Sequence, residues 1–204
     1  MTSLRFSRFA LRSIALAIGA AATFSCSEPT APTPREATQP SALLGLPITI
    51  GIGGVRIVDT TVATLRWATP LPNDVTTSAT IGPEGGTITI PETGFRLDVP
   101  AYAVTSPTTI TVTAVAGPTV AYEFQPAGTT FAKRLTVRQD LSLTTILPAL
   151  LGTKFTGAYF SSRDDILPDG SALVHELEPT SVDLFSLNVR FTVSHFSGYL
   201  VAVD

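Results

Sequence analysis

Cysteine is almost missing from this 204-residue chain: Cys26 stands alone, so no internal disulfide can form and the fold must be held by its core. Histidine is nearly as scarce. Of the two present, His175 lies beside Glu176 with no second His or Cys ligand nearby, which argues against zinc. There is no basic stripe with interleaved aromatics, and the formal charge is −3, so nucleic acid is not an expected partner. No apolar run reaches 18 residues, which argues against a permanent transmembrane helix. Neither a Gly-x-Ser-x-Gly motif nor a supported carboxylate pair is present. Gly51-Ile52-Gly53-Gly54 is followed by no Lys-Ser/Thr and no helix, so it reads as a hinge rather than a phosphate loop. No cofactor and no metal are expected.

What is present begins with a leader. Arg5, Arg8 and Arg12 supply charge without any carboxylate, and Ser13 to Phe24 form an apolar run of 12 residues. Such a run would span only about 18 Å as a helix, short of the roughly 30 Å of a bilayer core, and reads as a signal peptide over residues 1–25. Two cleavage sites compete. Cutting before Cys26 would expose a thiol for acylation, giving a lipid-anchored envelope protein with more than one hydrophobic attachment. Ser25 suits that cut, whereas Thr23 and Phe24 do not. Cutting after the small pair Ala20 and Ala22 would instead leave a secreted or periplasmic protein with a free thiol. Lipidation at Cys26 is the expectation, because a lone reactive cysteine at this position in an exported protein is the less economical account. Residues 26–53 then form the lipidated Cys and a flexible linker, with Pro29, Pro32, Pro34 and Pro40 among Thr, Ser, Glu and Gln. Losing the three leader arginines moves the formal charge from −3 to −6.

The remainder is patterned as strands. Val55–Val58, Thr61–Trp67, Thr87–Ile90, Phe95–Val99, Thr108–Val115, Thr136–Leu141, Ala172–Leu177 and Asn188–Val193 are short runs of Thr, Val, Ile and Phe bounded by Gly, Pro, Asn and Asp. Alternation through Thr109 to Val115 places Ile110, Val112 and Ala114 on one face and threonines on the other, predicting an antiparallel β-sandwich with one packed and one wet face per sheet. Leu141 to Leu151, interrupted by Pro148, reads as a long loop. Val55 to Trp67 either belongs to the sandwich or forms a hairpin packed beside it; with a core that begins near Ala79, residues 54–78 form an N-terminal β-hairpin and a linker over Pro70 to Ser78, and residues 79–204 the sandwich proper.

From Ala79 the residues acquire a family character. Gly85-Gly86-Thr87-Ile88, Thr93 to Pro100, Ala103-Val104, Thr108 to Thr113, and Phe124 to Lys133 resemble the ZU-five domain. This is the β-sandwich of zona occludens proteins, netrin receptors, ankyrins and the death-domain protein PIDD, with exported bacterial relatives. Tyr102 stands where that family usually has Gly, and Arg134 where it usually has Pro. The resemblance implies a protein-binding or scaffold module.

The same resemblance extends to His195-Phe196-Ser197, which looks like the site at which some such domains cut themselves. The chemistry would use Ser197 as nucleophile, Phe196 as acyl donor and His195 as base: an N→O acyl shift gives an ester that water opens. As plain structure, Phe196 would be core and Ser197-Gly198 a bulge before a last strand, Tyr199 to Val203. Asp164, Asp165 and Asp169 gather in a loop without calcium-loop spacing, and Asp169-Gly170 reads more simply as a hairpin turn between Tyr159–Ser162 and Ala172–Leu177. A carbohydrate-binding face would rest on Trp67 and Tyr199, the sole aromatic hints. The leading expectation is an envelope lipoprotein that binds an envelope or extracellular protein and the membrane, with self-cleavage and carbohydrate binding as alternatives.

Overall fold

The alternation along Thr108–Ala114 becomes a strand in which Ile110, Val112 and Ala114 have no solvent exposure and the threonines occupy the other face. The same period builds most of the chain. The computed structural model describes residues 49–50, 54–146 and 149–204. The signal peptide, Cys26 and the tether to Gly53, apart from the strand at 49–50, lie outside the described residues.

The strands are β1 (Thr49–Ile50), β2 (Arg56–Thr64), β3 (Arg66–Leu71), β4 (Val75–Ile81), β5 (Gly86–Ile90), β6 (Phe95–Val99), β7 (Thr108–Ala114), β8 (Gly117–Thr119), β9 (Ala121–Gln125), β10 (Thr130–Asp140), β11 (Phe155–Phe160), β12 (Ser171–Glu178), β13 (Thr180–Asp183), β14 (Asn188–His195) and β15 (Gly198–Val203). One antiparallel sheet has the order β1-β2-β12-β11-β15-β9-β7-β4, a second β13-β14-β10-β6-β5, and β3 pairs with β8. Ile88, Phe95, Leu97, Tyr122, Phe124, Val137 and Phe191 pack between the two larger sheets. This is the antiparallel β-sandwich that the alternation predicts.

Two expectations for residues 54–78 are corrected. Val55 to Trp67 is no hairpin: β2 pairs with β12 and β15, whereas β3 pairs with β8. The chain changes sheets at Leu65, which is 1 % exposed and bonds through its backbone to Val201 and Val120. Burying Leu65 and Trp67 in the main core outweighs the local turn a hairpin would use. Pro70 to Ser78 is not a linker either, because β4 begins at Val75 and pairs along its whole length with β7. Its polar side chains form a ladder of hydroxyl pairs, Thr76 with Thr113, Ser78 with Thr111 and Thr80 with Thr109, at 2.7 to 3.0 Å.

The rule of one wet face fails at β15, where Gly198 to Ala202 are all buried. The cause is that β2 pairs with both β12 and β15, so β2, β12, β11 and β15 close on themselves. The enclosed space is narrow and is filled by small residues, Ala158, Ala172 and Ala202, with Val174, Leu200 and Phe160. Tyr199 and Val201 face the main core instead. Opposite His175, β2 takes three steps from Thr60 to Ile57 while β12 takes two from Val174 to Glu176, a bulge.

Candidate functional site

Phe196 and Ser197 make the crossing between the two sheets, since β14 ends at His195 in one and β15 starts at Gly198 in the other. The crossing is held by three backbone hydrogen bonds. Phe196 N–H donates to Thr129 O at 2.8 Å, Gly128 N–H donates to Phe196 O at 2.8 Å, and Phe124 N–H donates to Ser197 O at 2.9 Å. Gly128 has φ +75°, the left-handed conformation that favours glycine, and this aims its N–H at the Phe196 carbonyl. The Phe196 ring stacks on Phe124 at 5.1 Å and meets Phe131 edge-on at 4.5 Å.

The His195 ring makes its contacts with side chains of β11, β12 and β15. Its Nε2 lies 3.2 Å from Glu176 Oε2, and Tyr199 OH sits 3.3 to 3.4 Å from both ring nitrogens while donating to His195 O at 3.1 Å. Tyr159 meets the imidazole edge-on at 5.1 Å. Among the described residues the Ser197 hydroxyl has no hydrogen-bond partner, His195 included. The structure therefore brings His195 together with Glu176, Tyr159 and Tyr199, and does not pair it with the serine.

Two residues beyond Glu176 on β12 lies Glu178, only 2 % exposed although its side chain is ionisable. Arg134 Nη1 donates to Glu178 Oε2 at 3.2 Å and to Thr192 Oγ1 at 3.1 Å, tying β10, β12 and β14 together. Glu178 Oε1 is buried without a hydrogen-bond partner among the described residues. Burial pushes the Glu178 carboxyl up to about 7, against the pull of Arg134 and with a further push from Glu176. Burial likewise raises the Tyr199 phenol, reinforced by the charges of Glu178 and Glu176. This cluster can share protons and brace the two sheets. Sequence reading gave Arg134 and Glu176 no role at a site and passed over Glu178; the one local signal was the period-two spacing of the two glutamates, which puts both on one face of β12.

The other candidates are occupied structurally. His175 Nδ1 contacts Asp59 Oδ1 at 2.7 Å across the bulge. Asp165 accepts from Ser161 and Ser162, and these bonds hold its carboxyl below the ordinary range although burial pushes it up. Asp169 accepts from the Ser171 hydroxyl and N–H, which lower it, and sits at the turn where Gly170 has φ +89°. The acidic loop thus closes the connection between β11 and β12, the antiparallel neighbours expected from the sequence, and includes a one-turn helix at Arg163–Asp165. Trp67 and Tyr199 are 4 % and 0 % exposed, so neither offers a sugar-stacking face. Among the described residues no helix is long and apolar enough to cross a membrane. Neither a protein-family model nor a curated protein matches the chain.

Proposed function

We propose that the chain is a bacterial cell-envelope lipoprotein, anchored through acylated Cys26, whose ZU-five-like sandwich serves as a protein-interaction or scaffold module without substrate turnover. The observation that carries the reading is the use made of His195-Phe196-Ser197: the imidazole faces Glu176 and Tyr199, the phenyl ring is core, and the serine stands apart from a base. Residues so committed to joining two sheets favour a rigid display scaffold.

Membrane fractionation with intact mass tests the anchor. Acylated protein in the membrane fraction, shifted to the soluble fraction by Cys26→Ser, is the expected result; a soluble, unmodified chain cut near Ala22 would overturn it. Crosslinking in the envelope tests the module, with one recurring protein partner expected and none contradicting the reading.

One observation favours self-cleavage as a second reading. The Gly128 N–H already donates to Phe196 O, the oxygen on which negative charge would develop if Ser197 attacked that carbonyl. The imidazole would have to leave Glu176 and turn to Ser197 for this reading to hold.

A further inference from the structure

The eight-stranded sheet ends at β4, which pairs with β7 at every position from Val75 to Ile81 and has no strand along its other edge. The backbone directions on that open edge follow from the next strands in. Val115 N–H donates to Ala121 O, continuing the register in which Ala114 stands opposite Tyr122, whereas Phe124, opposite Val112, turns its N–H to Ser197 O. Successive residues of an antiparallel strand bond alternately to one neighbour and to the other, so odd-numbered residues of β7 bond to β9 and even-numbered ones to β4. Val112 faces Thr77 and Ile110 faces Ala79, which makes the odd-numbered residues of β4 the ones bonded to β7. Thr76, Ser78 and Thr80 therefore point their N–H and C=O groups out of the sheet. Among the described residues nothing accepts from or donates to those groups.

An open edge is a template for another strand, and proteins that stay apart blunt it with charge, proline, a bulge or shortness. β4 has none of these. Its sequence, Val-Thr-Thr-Ser-Ala-Thr-Ile, carries no charge and no proline, and its register against β7 runs without a shift. It is seven residues long, against two in β1 and four in β13, the edge strands at the opposite ends of the two sheets. On the outer face Thr76, Ser78 and Thr80 are exposed and already hydroxyl-paired with β7. On the inner face Val75 and Ala79 pack against the main core but are only partly covered.

We infer that β4 pairs with β4 of a second copy of this chain, antiparallel about a two-fold axis at Ser78, so that the two eight-stranded sheets become one. The register selects this occupant. An axis at Ser78 sets Ser78 opposite itself and Thr76 opposite Thr80, and each of these outward-pointing pairs exchanges two backbone hydrogen bonds. An axis between two residues would instead set outward groups against residues already bonded to β7. The side chains agree with the backbone: the hydroxyl pair of Thr113 and Thr76 runs on into Thr80 and Thr109 of the second copy, and that of Thr111 and Ser78 into its own mirror. Inside, Val75 meets Ile81 and Thr77 meets Ala79, covering apolar surface that the edge leaves half open. The chain as a whole is acidic, with a formal charge of −3, yet this strand is uncharged, so two copies meet where neither repels the other. A foreign strand could make the same backbone bonds, but β4 offers it no charge to read.

This names a second copy as a partner of the protein-interaction module proposed above and rests on that reading. The test is disulfide trapping in the full chain carrying Cys26→Ser, in detergent, with light scattering for the protein mass. Ser78→Cys should give a covalent dimer on oxidation, because residues paired at the axis lie about 5.5 Å apart between Cα atoms, within disulfide reach. Thr76→Cys alone should not, since its own copy lies four residues away along the strand, about 13 Å; Thr76→Cys combined with Thr80→Cys should. Without added cysteines the protein should have twice the chain mass, and Ser78→Lys, which sets two ammonium groups face to face, should weaken self-association at least tenfold. Circular dichroism checks that the variants are folded. A monomer at high micromolar concentration, no Ser78→Cys dimer, or equal trapping by Thr76→Cys alone would each overturn the proposal. If no dimer forms while crosslinks to another envelope protein persist, the second copy is wrong and the module stands; if both fail, both are wrong.

Discussion

Gly157 lies directly against Phe191: a Cβ placed on the glycine would come within 2.3 Å of the phenyl Cγ and 2.5 Å of its Cδ2. The contact joins β11 of one sheet to β14 of the other, at the level where Thr180 Oγ1 also accepts from Gly157 N–H at 2.8 Å. A methyl group here must push the sheets apart or force the ring from its rotamer. Gly157→Ala is therefore expected to destabilise by about 1–3 kcal/mol, read as a lower urea midpoint at unchanged slope. Any gain in stability from Gly157→Ala would show that the sheets are not in contact there.

A second strut crosses the same core. Tyr122 OH donates to Gln139 Oε1 at 2.5 Å, and the Gln139 amide donates to Thr93 O and Asp140 O, both at 2.8 Å. Both side chains are buried, so Tyr122→Phe leaves a carbonyl oxygen without its donor. A loss of about 1–3 kcal/mol is expected in chemical denaturation, and Tyr122→Phe with Gln139→Leu should cost less than the sum of the two.

Glu178 gives stability a pH dependence. Its folded-state value of about 7 lies above the 4.5 of an ordinary glutamate, so the folded protein holds the proton more tightly than the unfolded chain. The associated stabilisation, of order 3 kcal/mol, is complete below pH 4.5 and is lost as pH rises through 7. Denaturation midpoints measured between pH 5 and 8 should fall for the wild type, and Glu178→Gln should flatten that part of the profile. A wild-type curve that climbs over this range would place the carboxylate in a charged, fully compensated state.

Phe196 and Ser197 are neighbours with unequal structural weight. Truncating the Phe196 ring, which is 1 % exposed, stacked on Phe124 and edge-on to Phe131, should cost about 3–5 kcal/mol. Ser197→Ala removes a hydroxyl without a hydrogen-bond partner among the described residues and should change stability by no more than about 0.5 kcal/mol. Thermal unfolding of the two variants side by side measures the contrast.

Legibility from sequence followed locality. The Thr108–Ala114 strand declares itself, because period-two alternation of large apolar side chains is a local property. Val75–Ile81 does not, since its Thr and Ser look like linker until the hydroxyl pairs with β7 are seen. The hairpin expected at Val55 to Trp67 failed because β2 finds its partners in β12 and β15, more than 100 residues away. At the site, Phe196 as core was readable from its type. The direction of the His195 ring was not, because Glu176 and Tyr159 reach it from other strands. The extreme case is a row of three arginines on the outer face of the five-stranded sheet: Arg96, Arg138 and Arg190 become neighbours only through register.

The central claim is that His195-Phe196-Ser197 works as a structural corner in a binding module rather than as a cleavage site. Intact mass of the purified mature protein under denaturing conditions, beside Ser197→Ala, tests it most directly. The account predicts an uncut mass for both. Loss of Ser197 to Asp204 in the wild type alone would contradict it and make Ser197 a nucleophile.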